Sequence, residues 1–138
     1  MTTPHKNKTV ATLLALLFGG MGAHRFYLRG AVDKAGLIHL MSLPIAGMLY
    51  GLAHELNWFY QALPLLVSYI IGFVEALVLG LMSDEKWDAT FNAGSGRTSE
   101  SNWPLALLLV ATVMVAAVVA IGTLSRLFDL LYTGGAYG

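Results

Sequence analysis

The stretch from Leu105 to Leu124, LALLLVATVMVAAVVAIGTL, carries no charged side chain over about 20 residues. As a helix it rises about 30 Å, which is the thickness of a bilayer's hydrocarbon core. In water such a segment would have to be buried on every side. A chain of 138 residues with 57% hydrophobic and 12% charged side chains has too little polar surface to do that. Lipid must therefore be part of the solvent. Backbone crossing lipid has to satisfy its own hydrogen bonds, so the fold class is all-α: a polytopic helical membrane protein.

The charge pattern excludes several classes of partner. Net charge is zero and the eight basic residues are scattered, so no cationic footprint for nucleic acid is present. Cysteine is absent, which removes disulfides, thiolate metal sites and cysteine nucleophiles. The opening MTTPHKNKTVATLLALLFGG places basic residues before an apolar core, as a secretory signal does. The best small-residue cleavage position, after Ala23, puts the bulky Met21 at minus three, so the segment is read as retained.

Hydropathy predicts four apolar helices. The first begins at Thr9. Ended at Ala23 it is short for a span, whereas continued to Leu28, with Arg25 snorkelling to the interface, it suffices. The second, Ala35–Leu52, contains Pro44 and is expected to kink, with Ser42 compensating the freed backbone. The third, Ala62–Met82, holds one acid, Glu75, and the fourth is Leu105–Leu124. Trp58, Phe59, Tyr60, Trp103 and Tyr132 suit headgroup belts.

Before the last helix, Ser83 can cap a short interfacial helix on which Trp87 and Phe91 share a face. The organisation is then a polar N-terminus (1–8), a membrane domain (9–92), a flexible polar loop (93–102), an additional span (103–132) and a disordered tail (133–138). With four spans, Lys and Arg counts favour both termini outside the cytoplasm.

LLALLFGGMGAHRFYLRG resembles the TM-two domain family, small membrane proteins with two transmembrane helices joined by a short turn. The matching positions are Gly19, Gly20, Gly22, His24, Arg25, Phe26, Tyr27 and Gly30. A second block, GFVEALVLGLMSDEKWDATFN, is similar to many bacterial members at Glu75, Ser83, Asp84, Glu85, Trp87 and Asn92. The resemblance implies a location in a bacterial cytoplasmic (inner) membrane and supplies no reaction. Two departures stand out. The region between Leu37 and Ser68 is longer than the family's second helix, implying an inserted helix or re-entrant segment, and the fourth apolar segment lies beyond the core domain.

Individual residues carry both plain and sharper readings. Arg25 is a topogenic charge, or its guanidinium bonds exposed carbonyls or a carboxylate, Asp33 nearby or Glu75 at a distance. Gly19, Gly20 and Gly22 mark a frayed helix end or, the favoured reading, a place where another helix packs closely. Gly72, Ala76 and Gly80 form a small-xxx-small series sharing a side of their helix with Glu75 and Ser68, so this face looks into protein. An intramembrane acid such as Glu75 is a structural bond or ion pair, an ion or proton carrier, or a partner contact.

His39 reads as a hydrogen-bonded packing residue. His39, His54 and Glu75 are too scattered along the chain to argue for a metal, and HELNW lacks the second histidine of a zinc protease motif. No nucleophile–base pair or phosphate loop is present, so neither catalysis nor a cofactor is expected. The reading is a scaffold, adaptor or accessory subunit contacting the lipid bilayer and a partner membrane protein or a second copy. The alternative is an oligomeric ion or proton conduit built on Glu75 and His39.

Overall fold

The structure, a computed structural model, describes residues 3–137. All regular structure among them is helical. Helix α1 (Lys8–Phe18) starts where the Asn7 side chain accepts from the Val10 amide at 3.1 Å. At about 1.5 Å per residue it is roughly 16 Å long, half the depth of a hydrocarbon core. A 3₁₀ turn (Gly19–Met21) follows, and then Gly22 adopts φ 75°, a left-handed conformation that favours glycine. A Cβ on Gly22 would also lie 2.6 Å from the Gly36 carbonyl oxygen.

Helix α2 (Ala23–Arg29) then returns toward the end from which α1 entered. The Lys8 ammonium bonds the Met82 carbonyl at 2.8 Å and the Asp84 carboxylate, while the Asn7 amide donates to the Tyr27 hydroxyl at 2.9 Å. Tyr27 and Leu28 pack on the buried cluster of Ala11, Leu79 and Trp87. The two helices thus make a re-entrant hairpin. A continuous first span reaching Leu28 is corrected, because the Gly22 reversal ends it.

Three helices are long and apolar enough to cross a membrane: α3 (Lys34–Leu52), α4 (Trp58–Leu81) and α6 (Trp103–Thr133). The expected Ala35–Leu52 segment lies in α3 and the expected Ala62–Met82 segment in α4 up to Leu81, and the two helices run on through Pro44 and Pro64. Only the link 53–57 separates them, tied down by Gln61, whose amide donates to the Ala53 and Leu56 carbonyls at 3.0 Å. The extra length after Leu37 is therefore ordinary span, and the re-entrant element lies earlier. Ile38, Val118 and Ile121 are among many large apolar side chains left about two-thirds exposed or more, as surfaces facing lipid require.

Helix α5 (Asp84–Phe91) is capped by Ser83, which accepts from the Lys86 amide. Its Trp87 face is turned into the protein and not to the membrane interface, for a physical reason. The indole is fully buried and its N–H donates to the Lys6 carbonyl at 3.1 Å. The segment 93–102 is tied to the same helix: the Ser99 amide and hydroxyl donate to Asp88 at 2.7 and 2.6 Å, and those of Ser101 donate to Asp84 at 2.8 Å. Asn92 accepts from the Lys6 amide at 2.6 Å, joining the N-terminal strand of chain to this platform. At the C-terminus, the Ala136 amide donates to Thr133.

Among the described residues three helices are candidate spans by length and composition, and α1 of the hairpin is apolar but shorter. The N-terminal residues meet α5 and the loop before α6, and α6 then leads away along α4, with Leu109 against Gly80. The described ends of the chain lie at opposite ends of the bundle. Four apolar helices are present as expected, but the arrangement of three candidate spans and a hairpin differs from the expected four spans with both termini on one side.

Candidate functional site

The hairpin is seated against α4 by glycines. A Cβ on Gly19 would lie 2.9 Å from the Gly72 Cα, and one on Gly20 would lie 2.2 Å from Cδ2 of the Tyr69 ring. Only backbone fits in those places. Ala76 is fully buried on the same face, and Gly80 lies against Leu109 of α6 and Thr12 of α1. Phe26 packs its ring edge on Gly36 of α3, Lys6 stands over the Tyr27 ring at 4.9 Å, and Gly30 closes α2 at φ 93° in open space.

Ending α1 inside the protein exposes carbonyls that need donors. The Tyr69 hydroxyl donates to the Leu17 carbonyl at 3.2 Å and the Gly22 amide to the Gly19 carbonyl at 3.0 Å. The Gly20 carbonyl is met by two hydroxyls, Ser68 at 2.7 Å and Ser42 at 3.2 Å. Ser42 also reaches the His39 carbonyl at 2.7 Å, so its hydroxyl serves the hairpin and its own helix.

Just above this level the hairpin, α3 and α4 meet at Glu75. One carboxylate oxygen accepts from both Nε (2.8 Å) and Nη2 of Arg25. The other accepts from His24 Nε2 at 2.7 Å and faces His39 Nε2 at 3.1 Å. A carboxylate offers about four lone-pair directions, and all are taken here. Arg25 also reaches Asp33 through Nη1 at 3.5 Å, and Asp33 in turn caps α3 by accepting from the Gly36 amide at 2.8 Å. The Glu75 side chain is 19% exposed and those of His24 and His39 are 2% and 7%, so the group is largely closed to water.

The His39 ring completes the network. Its Nδ1 lies 2.7 Å from the Ser68 hydroxyl. When His39 donates from Nε2 to Glu75, Ser68 donates to Nδ1 and Ser42 supplies the Gly20 carbonyl. Every polar group then has a partner except His24 Nδ1, which has none among the described residues. With Ser68 donating to His39, the chain of hydrogen bonds from Glu75 through His39 ends on the Ser68 hydroxyl.

The structure therefore brings His24, Arg25, His39 and Glu75 together, with the Gly19–Gly72 contact beneath them. His54 is not part of the group, and no set of three or more His, Cys, Asp or Glu residues with metal-binding geometry occurs among the described residues. Sequence reasoning places His24 in a motif without linking it to Glu75. A buried histidine beside an arginine, 51 residues from its carboxylate, leaves no periodic signal.

The model of the TM2 domain family matches residues 4–52, which contain the hairpin and α3 but not Glu75. The chain is similar to the uncharacterized membrane protein YozV of Bacillus subtilis (strain 168), with 36% identity over 87 residues, 63% of this chain and 82% of the relative. No solved structure matches. An integral membrane chain with the glycine turn, the His24-Arg25 pair and such a relative belongs to the TM2 domain family.

Proposed function

We propose that this protein works by assembly, as a scaffold, adaptor or accessory subunit of a bacterial cytoplasmic membrane, and that it has no catalytic role. The observation that carries the reading is the saturation of Glu75. Its oxygens are held by Arg25, His24 and His39, an arrangement that fastens a re-entrant hairpin to two spans. A transported ion would need at least one of those positions vacated. A proton path would need groups beyond the Ser68 hydroxyl, where the hydrogen-bonded chain from Glu75 stops.

Charge distribution supports an orientation. All of the eight Lys and Arg residues but Arg126 belong to the N-terminal end of the bundle: Lys6, Lys8, Arg25, Arg29, Lys34, Lys86 and Arg97. The positive-inside bias puts that end in the cytoplasm and the C-terminus outside. The N-terminal residues, α5 and the 93–102 segment then form a cytoplasmic polar platform, the natural docking face for a partner protein or a second copy.

Proteoliposome flux measurements test the reading against the conduit alternative. Purified protein is expected to add no cation or proton flux above empty vesicles. Flux that vanishes in Glu75→Gln at unchanged insertion and oligomeric state would overturn it.

A further inference from the structure

We propose that a cavity between α2, α4 and α5 binds the headgroup of an anionic phospholipid from the leaflet at the N-terminal end of the bundle. The cavity measures about 260 Å³. Arg29 enters it from α2 and Lys86 from α5; both are exposed, and neither has an ion-pair partner among the described residues. Arg25 and Glu75 also line the cavity, but they neutralise one another. The Asp88 carboxylate is engaged by Ser99. The mouth is thus left with two uncompensated cations on separate helices.

The guanidinium of Arg29 stands over the Phe91 ring at 5.9 Å, a cation–π contact that holds its position and leaves its N–H donors free for an anion. Below the cations the wall becomes apolar, formed by Val78, Leu79 and Met82 in the last turns of α4. Val78 is 59% exposed and Val74, one turn deeper, 56% exposed, so this wall runs into the lipid-facing surface. A free anion would use only the top of such a site. A phospholipid uses all of it, with phosphate against Arg29 and Lys86 and acyl chains along α4. The site depends on insertion in a membrane and not on the assembly reading above.

The test uses the full chain in detergent, titrated with phosphatidylglycerol or phosphatidylcholine and read by native mass spectrometry. Wild-type protein is expected to retain phosphatidylglycerol in preference. Arg29→Gln with Lys86→Gln is expected to weaken that binding by roughly tenfold or more, since each cation near a membrane surface contributes appreciably to anionic-lipid attraction. Arg29→Lys with Lys86→Arg should restore it, and Arg97→Gln, at the same end but outside the cavity, should leave it unchanged. Equal retention of the two lipids would overturn the proposal, as would undiminished binding in the double glutamine variant. So would an equal loss in Arg97→Gln, or displacement of the lipid by glycerol phosphate at matching concentration, which would mark a site for free anions.

Discussion

Gly19 and Gly72 meet backbone to backbone: a Cβ on Gly72 would lie 2.7 Å from the Gly19 carbonyl carbon. Backbone on both sides cannot move away as a flexible side chain can. Gly72→Ala is expected to cost about 1–3 kcal/mol through overpacking, seen as a lower thermal midpoint in detergent. Gly47→Ala, on α3 with nothing within 4 Å of the added carbon, should be neutral or slightly stabilising. A Gly72→Ala protein as stable as Gly47→Ala would contradict the close approach.

Glu75→Gln keeps the shape of the side chain and removes the charge that Arg25 and the histidines hold. The loss should be about 2–3 kcal/mol, below that of a fully buried pair because Arg25 is 26% exposed. Arg25→Lys should cost less, since charge survives and only the two-pronged geometry is lost. A double-mutant cycle of Arg25→Gln and Glu75→Gln checks this; additive effects would mean that the two are not coupled.

The platform should be acid-sensitive. Hydrogen bonds from Ser99 and Asn92 bring the Asp88 carboxyl down to about 2, and the bond from the Lys8 ammonium holds Asp84 below the usual carboxylate range. Folded-state values below the unfolded ones mean stabilisation that is complete above about pH 4 and is lost as pH falls toward about 2. Hydrogen exchange, corrected for intrinsic rates, should show the Ser99 and Ser101 amides protected near neutrality and released in that acid window. Asp88→Asn should release Ser99 even at neutral pH. Protection of Ser99 unchanged by that substitution would refute the tether.

Trp87 seals the junction of the hairpin, α4 and α5. Trp87→Ala should cost about 3–5 kcal/mol, as removal of large buried aromatics does. Trp87→Phe should cost less, losing mainly the bond to the Lys6 carbonyl. Denaturant titration separates the two; equal stability of both variants and wild type would show that this indole is not buried in solution.

Much of the architecture is written in hydropathy, because a span must be both long and uncharged. The apolar run from Val10 to Ala23 signals its own difficulty by being too short, yet length alone does not distinguish a snorkelling span from a hairpin. That choice is made by Gly22, whose left-handed conformation becomes visible only with the Gly36 carbonyl beside it. The sequence nominates Asp33 and Glu75 as carboxylates for Arg25, and the structure puts both within reach. His24 and His39 are read separately because their common partner lies on a third helix. The ties of the Lys6 amide to Asn92 and of the Ser99 amide to Asp88 span 86 and 11 positions, and such pairings carry no pattern along the chain.

The re-entrant hairpin is tested most directly by the sides on which the two ends emerge. The chain lacks cysteine, so Thr3→Cys and Tyr137→Cys each provide a single label site. With a membrane-impermeant maleimide applied outside intact cells, Tyr137→Cys should react and Thr3→Cys should react only after permeabilisation. Labelling of both from the same side would mean an even number of crossings, and the hairpin could not be as described.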